Sequence, residues 1–166
     1  MSQTVFLNGL PMHTCGELPR VGTQAPEFVL VKNDLSEISL HDYRGNRVVL
    51  NIFPSLDTDV CAASVRRFNK EASELENTRV ICVSMDLPFA AGKFCAANGI
   101  NNVITASAFR SDFGKEYGVE IVDGPMRGLF ARCLVVLNEE GKVIATSLCD
   151  QITEEPDYEL VKQVLK

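Results

Sequence analysis

The spacing of apolar and polar positions changes several times along the chain, and each change marks a predicted element. Thr4-Val5-Phe6-Leu7 and the stretch from Leu10 to Thr14 flank Asn8-Gly9, the pair that best tolerates the two positive φ angles of a type I′ turn. An N-terminal β-hairpin is predicted, and Pro11, which has no N–H to give a ladder, puts its second strand at an edge. After a turn-rich stretch from Gly16 to Pro26, Phe28-Val29-Leu30-Val31 and Ile38-Ser39-Leu40 flank Lys32-Asn33-Asp34 and predict a second hairpin. Arg44-Gly45-Asn46 breaks the chain before Val48-Val49-Leu50-Asn51-Ile52-Phe53, a nearly continuous apolar run of the kind buried on both faces of a sheet. That run is the expected central strand.

From Cys61 the period becomes helical: Val65, Phe68, Ala72 and Leu75 recur every three or four residues, with Cys61 on the same face and Arg66, Arg67, Lys70 and Glu74 largely on the others. A strand is predicted at Val80 to Met85, a helix from about Pro88 to Asn98 ended by Gly99, and a strand at Val103 to Thr105. This is βαβαβ. A short helical piece around Asp112 to Tyr117 precedes two strands, Ala131 to Leu137 and Lys142 to Thr146, whose Asn138-Glu139-Glu140-Gly141 connection marks an antiparallel hairpin. Tyr158, Leu160, Val161, Val164 and Leu165 form the apolar face of a last helix. No repeat, linker or low-complexity run divides residues 1–166, so the expectation is one α/β domain with a central mixed sheet, helices on both faces and a thioredoxin-like arrangement.

Composition narrows the function classes. The 166 residues are 46% hydrophobic and 23% charged, the balance of an ordinary globular chain. Sixteen Lys and Arg against 22 Asp and Glu leave a net charge of -6, which disfavours nucleic acid and anionic lipid as partners. No apolar run approaches the roughly 18 residues of a membrane span. The start lacks a basic n-region and the first Lys or Arg is Arg20, so no targeting signal is readable and a cytoplasmic location is expected. Six cysteines (15, 61, 82, 95, 133 and 149) without any Cys-x-x-Cys, and two histidines without ligand spacing, argue against both a disulfide scaffold and structural zinc. No cofactor or metal is expected, and any disulfide in such a chain is catalytic or transient.

One position carries chemistry. Pro54-Ser55-Leu56-Asp57-Thr58-Asp59-Val60-Cys61 joins the end of the buried strand to the start of a helix, where open α/β sheets place ligands. A cysteine in a first helical turn sits among unpaired backbone N–H groups and the positive end of the helix dipole, which favour thiolate over thiol. The plainer alternative is a small apolar residue on a core helix. Thr58 reads equally as an N-cap, Pro54 as a strand terminator, and Arg132 as a surface arginine, although strand alternation puts it on the side of Leu134 and Val136, an odd place for a solvent-facing cation. Cys95 alone is a packed helix thiol; Cys82, Cys133 and Cys149 fall in expected strands and read as core, and Cys15 follows the hairpin without a role.

Pro54, Thr58 and Cys61 reproduce the Pro-x-x-x-Thr-x-x-Cys pattern of peroxiredoxins, and the string from Pro54 to Asn69 resembles the bacterial thiol peroxidase branch of that family. The likeness continues through Asn102-Val103-Ile104-Thr105, Asp123-Gly124-Pro125, Gly128-Leu129-Phe130-Ala131-Arg132 and Glu155-Pro156-Asp157-Tyr158. It implies an atypical two-cysteine thiol peroxidase that reduces hydrogen peroxide and organic hydroperoxides in antioxidant defence, is recycled by thioredoxin and works as a homodimer. By resemblance Cys61 is the peroxidatic cysteine and Cys95 its intrachain resolving partner. Thr58 corresponds to the threonine whose hydroxyl touches thiolate and peroxide, Arg132 to the active-site arginine, and Pro54 to the proline that shields the thiolate. Two other readings compete: a general thiol-disulfide oxidoreductase, suggested by Cys61-Ala62-Ala63-Ser64 but lacking the second cysteine, and a redox-sensing interaction module.

Overall fold

The computed structural model describes residues 2–165. A two-stranded hairpin, β1 (Thr4–Leu7) and β2 (Leu10–His13), precedes a seven-stranded mixed sheet of β3 (Val29–Lys32), β4 (Glu37–Ser39), β5 (Arg47–Ile52), β6 (Thr78–Ser84), β7 (Ile104–Ser107), β8 (Cys133–Leu137) and β9 (Val143–Leu148). The helices are α1 (Asp59–Glu71), α2 (Pro88–Asn98), α3 (Phe113–Glu116) and α4 (Tyr158–Val164). The sheet order is β4-β3-β7-β6-β5-β8-β9. β5, β6 and β7 run parallel through two helical crossovers, while β3 and β8 flank them antiparallel.

Alternation along β5 explains how the core divides. Val48, Leu50 and Ile52 face a cluster with Phe28, Ile81, Val83, Phe113, Tyr117 and Phe130. Val49 and Phe53 face the opposite cluster, where Leu134 and Val136 of β8 meet Cys61, Val65 and Phe68 of α1 and Tyr158 and Val161 of α4. Because β5, β6 and β7 follow one another in a single direction, right-handed crossovers put α1 and α2 on the same face. α3 covers the other, so helices do lie on both sides, as expected.

Element edges differ from the sequence pattern where pairing outlasts hydrophobicity. β7 begins at Ile104 and continues to Ser107, because its parallel ladder with β6 runs on to Ser84 opposite Ser107. Leu40 leaves the strand for a 3₁₀ turn over Leu40–Tyr43, and α1 gives way to another over Ala72–Glu74, so Leu75 lies outside the helix. Arg132 precedes β8 instead of lying within it, and Cys149 falls just past β9, half-buried, which corrects its reading as a strand core residue. No helix among the described residues is long and apolar enough to cross a membrane.

The N-terminal hairpin has a structural task. Asn8 and Gly9 take φ angles of 50° and 87°, as its turn demands. Beyond that turn, Phe6 N–H donates to the Asp150 carbonyl at 2.7 Å and the Phe6 carbonyl accepts from Ile152 N–H at 2.9 Å, while Val5 and Met12 pack on Ile121, Ala131 and Ile152. The hairpin thereby holds the 150–152 strap against the end of the sheet, beside Arg132.

Candidate active site

The C-terminal end of β5 delivers buried Phe53 and Pro54 into a short loop that is tied down from β6. Asp86, just past β6, accepts hydrogen bonds from Ser55 Oγ at 2.8 Å, from Leu56 N–H at 2.8 Å and from Ser84 Oγ at 2.7 Å. The loop ends at Thr58, the N-cap of α1: its Oγ1 accepts from Cys61 N–H at 3.3 Å and donates to the Ser55 carbonyl at 3.0 Å. Cys61 is therefore the third residue of the helix, in the turn where backbone N–H groups lack intrahelical partners. Its side chain is fully buried under the apolar face formed with Val65 and Phe68.

Strand register brings in the arginine. Ile52 of β5 pairs with Cys133 of β8, so the residue before Cys133 lies at the same end of the sheet as the start of α1. Arg132 is only 1% exposed, which overturns the surface reading that composition alone favours. Its Nε donates to the Ile152 carbonyl at 2.9 Å and its Nη2 to Cys61 Sγ at 3.2 Å, while Nη1 is buried with no partner among the described residues. A guanidinium stays charged in any protein environment, and burying one without an anion is costly. Its side-chain hydrogen bonds here go to a carbonyl and a sulfur, which places Cys61 Sγ directly against the buried cation.

The expected residues thus divide. Cys61, Arg132 and Pro54 converge at one end of the sheet. Thr58 is close by, yet its hydroxyl hydrogen goes to the Ser55 carbonyl and its oxygen takes the Cys61 amide; no hydrogen bond joins it to Cys61 Sγ among the described residues. Cys95 lies apart, in the last turn of α2, with Sγ 3.3 Å from Thr105 Oγ1 and accepting from Asn33 Nδ2 at 3.5 Å. It borders an open cleft of about 260 Å³ lined also by Lys32, Asp34 and Ile100. Burial pushes the thiol of Cys82 up to about 12 and that of Cys149 up to about 11, and raises that of Cys133 as well, so all three stay protonated near neutral pH. Among the described residues no group of three or more His, Cys, Asp and Glu side chains is arranged to hold a metal ion.

The Redoxin family model matches residues 20–162. The chain is 53% identical to the thiol peroxidase of Corynebacterium glutamicum over 159 residues, 96% of each chain. It is equally 53% identical to that of Mycobacterium tuberculosis over 155 residues, 93% of each. The chain belongs to the redoxin family. Among solved structures, the peroxiredoxin-like protein from Aquifex aeolicus superposes with a TM-score of 0.94 at 40% identity, covering 99% of this chain and 96% of that one. The thiol peroxidase from Chromobacterium violaceum shares the fold, with a TM-score of 0.91 at 20% identity over 99% and 97% of the two chains. This redoxin is a peroxiredoxin-family enzyme with thiol peroxidase function, which implies a peroxide substrate and a thiol reductant.

Three residues that shape the site of this redoxin escaped the sequence reading: Asp86, Ser64 and Asn51. For Asp86 a signal existed, an acidic residue placed where a buried strand ends beside the loop it serves. Asp86→Ala is expected to lower stability by about 2–3 kcal/mol, since hydrogen bonds to a charged acceptor are worth about 1.5–3 kcal/mol and the loop partners lose theirs together. Urea unfolding checks this; a midpoint unchanged from wild type would mean the loop holds its shape without the staple.

Proposed function

We propose that this enzyme reduces hydroperoxides through Cys61, and the observation that carries the reading is the buried 3.2 Å contact between Arg132 Nη2 and Cys61 Sγ. The thiolate sulfur attacks the terminal oxygen of ROOH, the O–O bond breaks, and the leaving alkoxide takes a proton to give ROH and Cys61 sulfenic acid. Arg132 Nη1, which has no partner of its own among the described residues, supports a role in binding the peroxide oxygens as charge shifts onto them. Pro54, buried beside the loop, keeps water from the sulfur, and Thr58 fixes the first turn of α1 through its cap. The hydroxyl of Thr58 is free to turn toward substrate once it leaves the Ser55 carbonyl.

In the second step the Cys95 thiol attacks the sulfenic sulfur, releasing water and forming an intrachain disulfide. A thioredoxin dithiol then exchanges with it, leaving both cysteines reduced and itself oxidised. The remaining features of this reading are a homodimer acting in the cytoplasm on hydrogen peroxide and organic hydroperoxides, with residues 1–166 as one functional domain. Disulfide formation needs movement. Cys95 contacts Thr105 of β7, whereas α1 rests on β5 and β8; two strand spacings separate β5 from β7, about 10 Å, and a disulfide needs Cα atoms within about 4.4–6.8 Å. The first turn of α1 and the last turn of α2 must unwind.

Steady-state turnover of cumene hydroperoxide and hydrogen peroxide, with thioredoxin and its reductase supplying electrons, tests the proposal. Cys95→Ser is expected to retain the first oxidation at the wild-type rate and to lose thioredoxin-coupled recycling by at least about tenfold. Amide exchange is expected to quicken around Cys61 and Cys95 in the oxidised protein while β5 stays protected. Normal thioredoxin-coupled turnover by Cys95→Ser would make another thiol the resolver.

A further inference from the structure

The sheet face beneath α1 and α2 is not uniformly apolar. Register aligns Asn51 of β5 with Cys82 of β6, and Cys82 with Thr105 of β7, so a polar row crosses the middle of the sheet under the two helices. Thr105 Oγ1 extends the row by donating to Asn33 Oδ1 at 2.9 Å. α1 rests on one end: Asn51 Nδ2 donates to Ser64 Oγ at 3.2 Å, and Ser64 Oγ donates to the Cys61 carbonyl at 2.7 Å. α2 rests on the other end through the contacts of Cys95 with Thr105 and Asn33.

One atom in this row is out of balance. Asn51 is fully buried, and its Oδ1 has no hydrogen-bond partner among the described residues. Its Nδ2 does little better beyond Ser64, reaching only Cys82 Sγ at 3.7 Å, a weak acceptor. Buried polar groups are nearly always satisfied, and an orphan costs free energy that the same group in water does not. That cost falls on the packed state alone, because lifting the turn from Cys61 to Ser64 off the sheet admits water to the Asn51 amide.

We propose that Asn51 is a positioning residue that sets how readily the Cys61 turn leaves the sheet: its orphaned carbonyl, trapped under α1, destabilises the packed state relative to the opened state in which Cys61 meets Cys95. The inference rests on the Cys61 and Cys95 roles proposed above. Its chemical consequence lies in the two fates of the sulfenic acid. In the opened state the Cys95 thiol displaces water to form the disulfide. In the packed state a second ROOH transfers an oxygen to the same sulfur, giving Cys61 sulfinic acid and ROH. Asn51 thus sets the peroxide concentration at which inactivation overtakes resolution. An apolar residue would fit the neighbouring Val49, Phe53 and Leu134 and make α1 harder to open.

Asn51→Leu keeps a similar volume, removes the orphan and leaves Ser64 its bond to the Cys61 carbonyl. In the reduced protein, without peroxide, amide exchange over residues 59–64 is expected to slow by about tenfold, the scale of one relieved unsatisfied group. After one equivalent of cumene hydroperoxide, formation of the Cys61–Cys95 disulfide is expected to slow by a similar factor, and sulfinate, read by peptide mass, to appear at lower peroxide. Ser64→Ala has the opposite sign: it takes the partner from Asn51 Nδ2, so both exchange over 59–64 and disulfide formation quicken several-fold while β5 stays protected. Wild-type exchange over 59–64 in either variant, or faster exchange in Asn51→Leu, would overturn the inference. Failure of the cysteine assignment has a separate signature, since the exchange changes would persist in proteins that form no Cys61–Cys95 bond.

Discussion

Cys61→Ser is expected to abolish hydroperoxide reduction while leaving the fold intact. Cys61 is fully buried and its one side-chain hydrogen-bond partner among the described residues is Arg132 Nη2, for which a serine oxygen is an equally good acceptor, so packing and the buried guanidinium are both accommodated. Reactivity is not. Among the described residues the only side-chain hydrogen bond at Cys61 Sγ comes from a cation and none comes from a histidine or carboxylate that could take a proton from a serine hydroxyl, so near neutral pH that hydroxyl remains an inert nucleophile. The other thiols are poor substitutes: burial holds Cys82, Cys133 and Cys149 in their protonated forms. Stopped-flow peroxide consumption and a thermal melt check the prediction together. Consumption within about tenfold of wild type, from a folded variant, would transfer the peroxidatic role to a different cysteine.

Arg132→Lys is expected to lower the second-order rate with hydroperoxide by about 10²-fold, although the substitution keeps a formal charge. The guanidinium makes two directed contacts, with the Ile152 carbonyl and with Cys61 Sγ, and still presents Nη1. A single ammonium cannot span these positions. The rate is measured below saturation, with thiol titration confirming one reactive Cys61. A lysine variant as fast as wild type would reduce the role of Arg132 to its charge and remove the argument from the planar fork.

How much of this could be read along the chain depended on whether the signal was local. The run Val48 to Phe53 announces a strand covered on both faces because six neighbouring side chains carry the message, and Asn8-Gly9 announces its turn because two residues decide two φ angles. Cys61 was legible for the same reason, since strand, loop, cap and cysteine lie within one short segment. Asn51 was not. In sequence it is one polar interruption of an apolar strand, and its meaning depends on Ser64, Cys82 and the turn above it. Cys149 reads as a strand core residue in sequence, but the ladder with β8 ends at Leu148, opposite Cys133, and leaves it just beyond the strand.

By itself the sequence determined the order of strands and helices, the helix-terminal position of Cys61 and, through its likeness to peroxiredoxins, the family. These follow from periodicity and short motifs, which depend on residues a few positions apart. Only the tertiary structure decided that Arg132 is buried against Cys61, that the Thr58 hydroxyl is occupied by the Ser55 carbonyl, and that Cys95 stands on β7, two strands from β5. Burial is a property of what the rest of the chain covers: the Ile52 and Cys133 register brings Arg132 beneath α1, and the hairpin-held 150–152 strap supplies the carbonyl that orients it. No local pattern encodes a contact between residues 71 positions apart, because the free energy that favours it comes from packing the whole sheet.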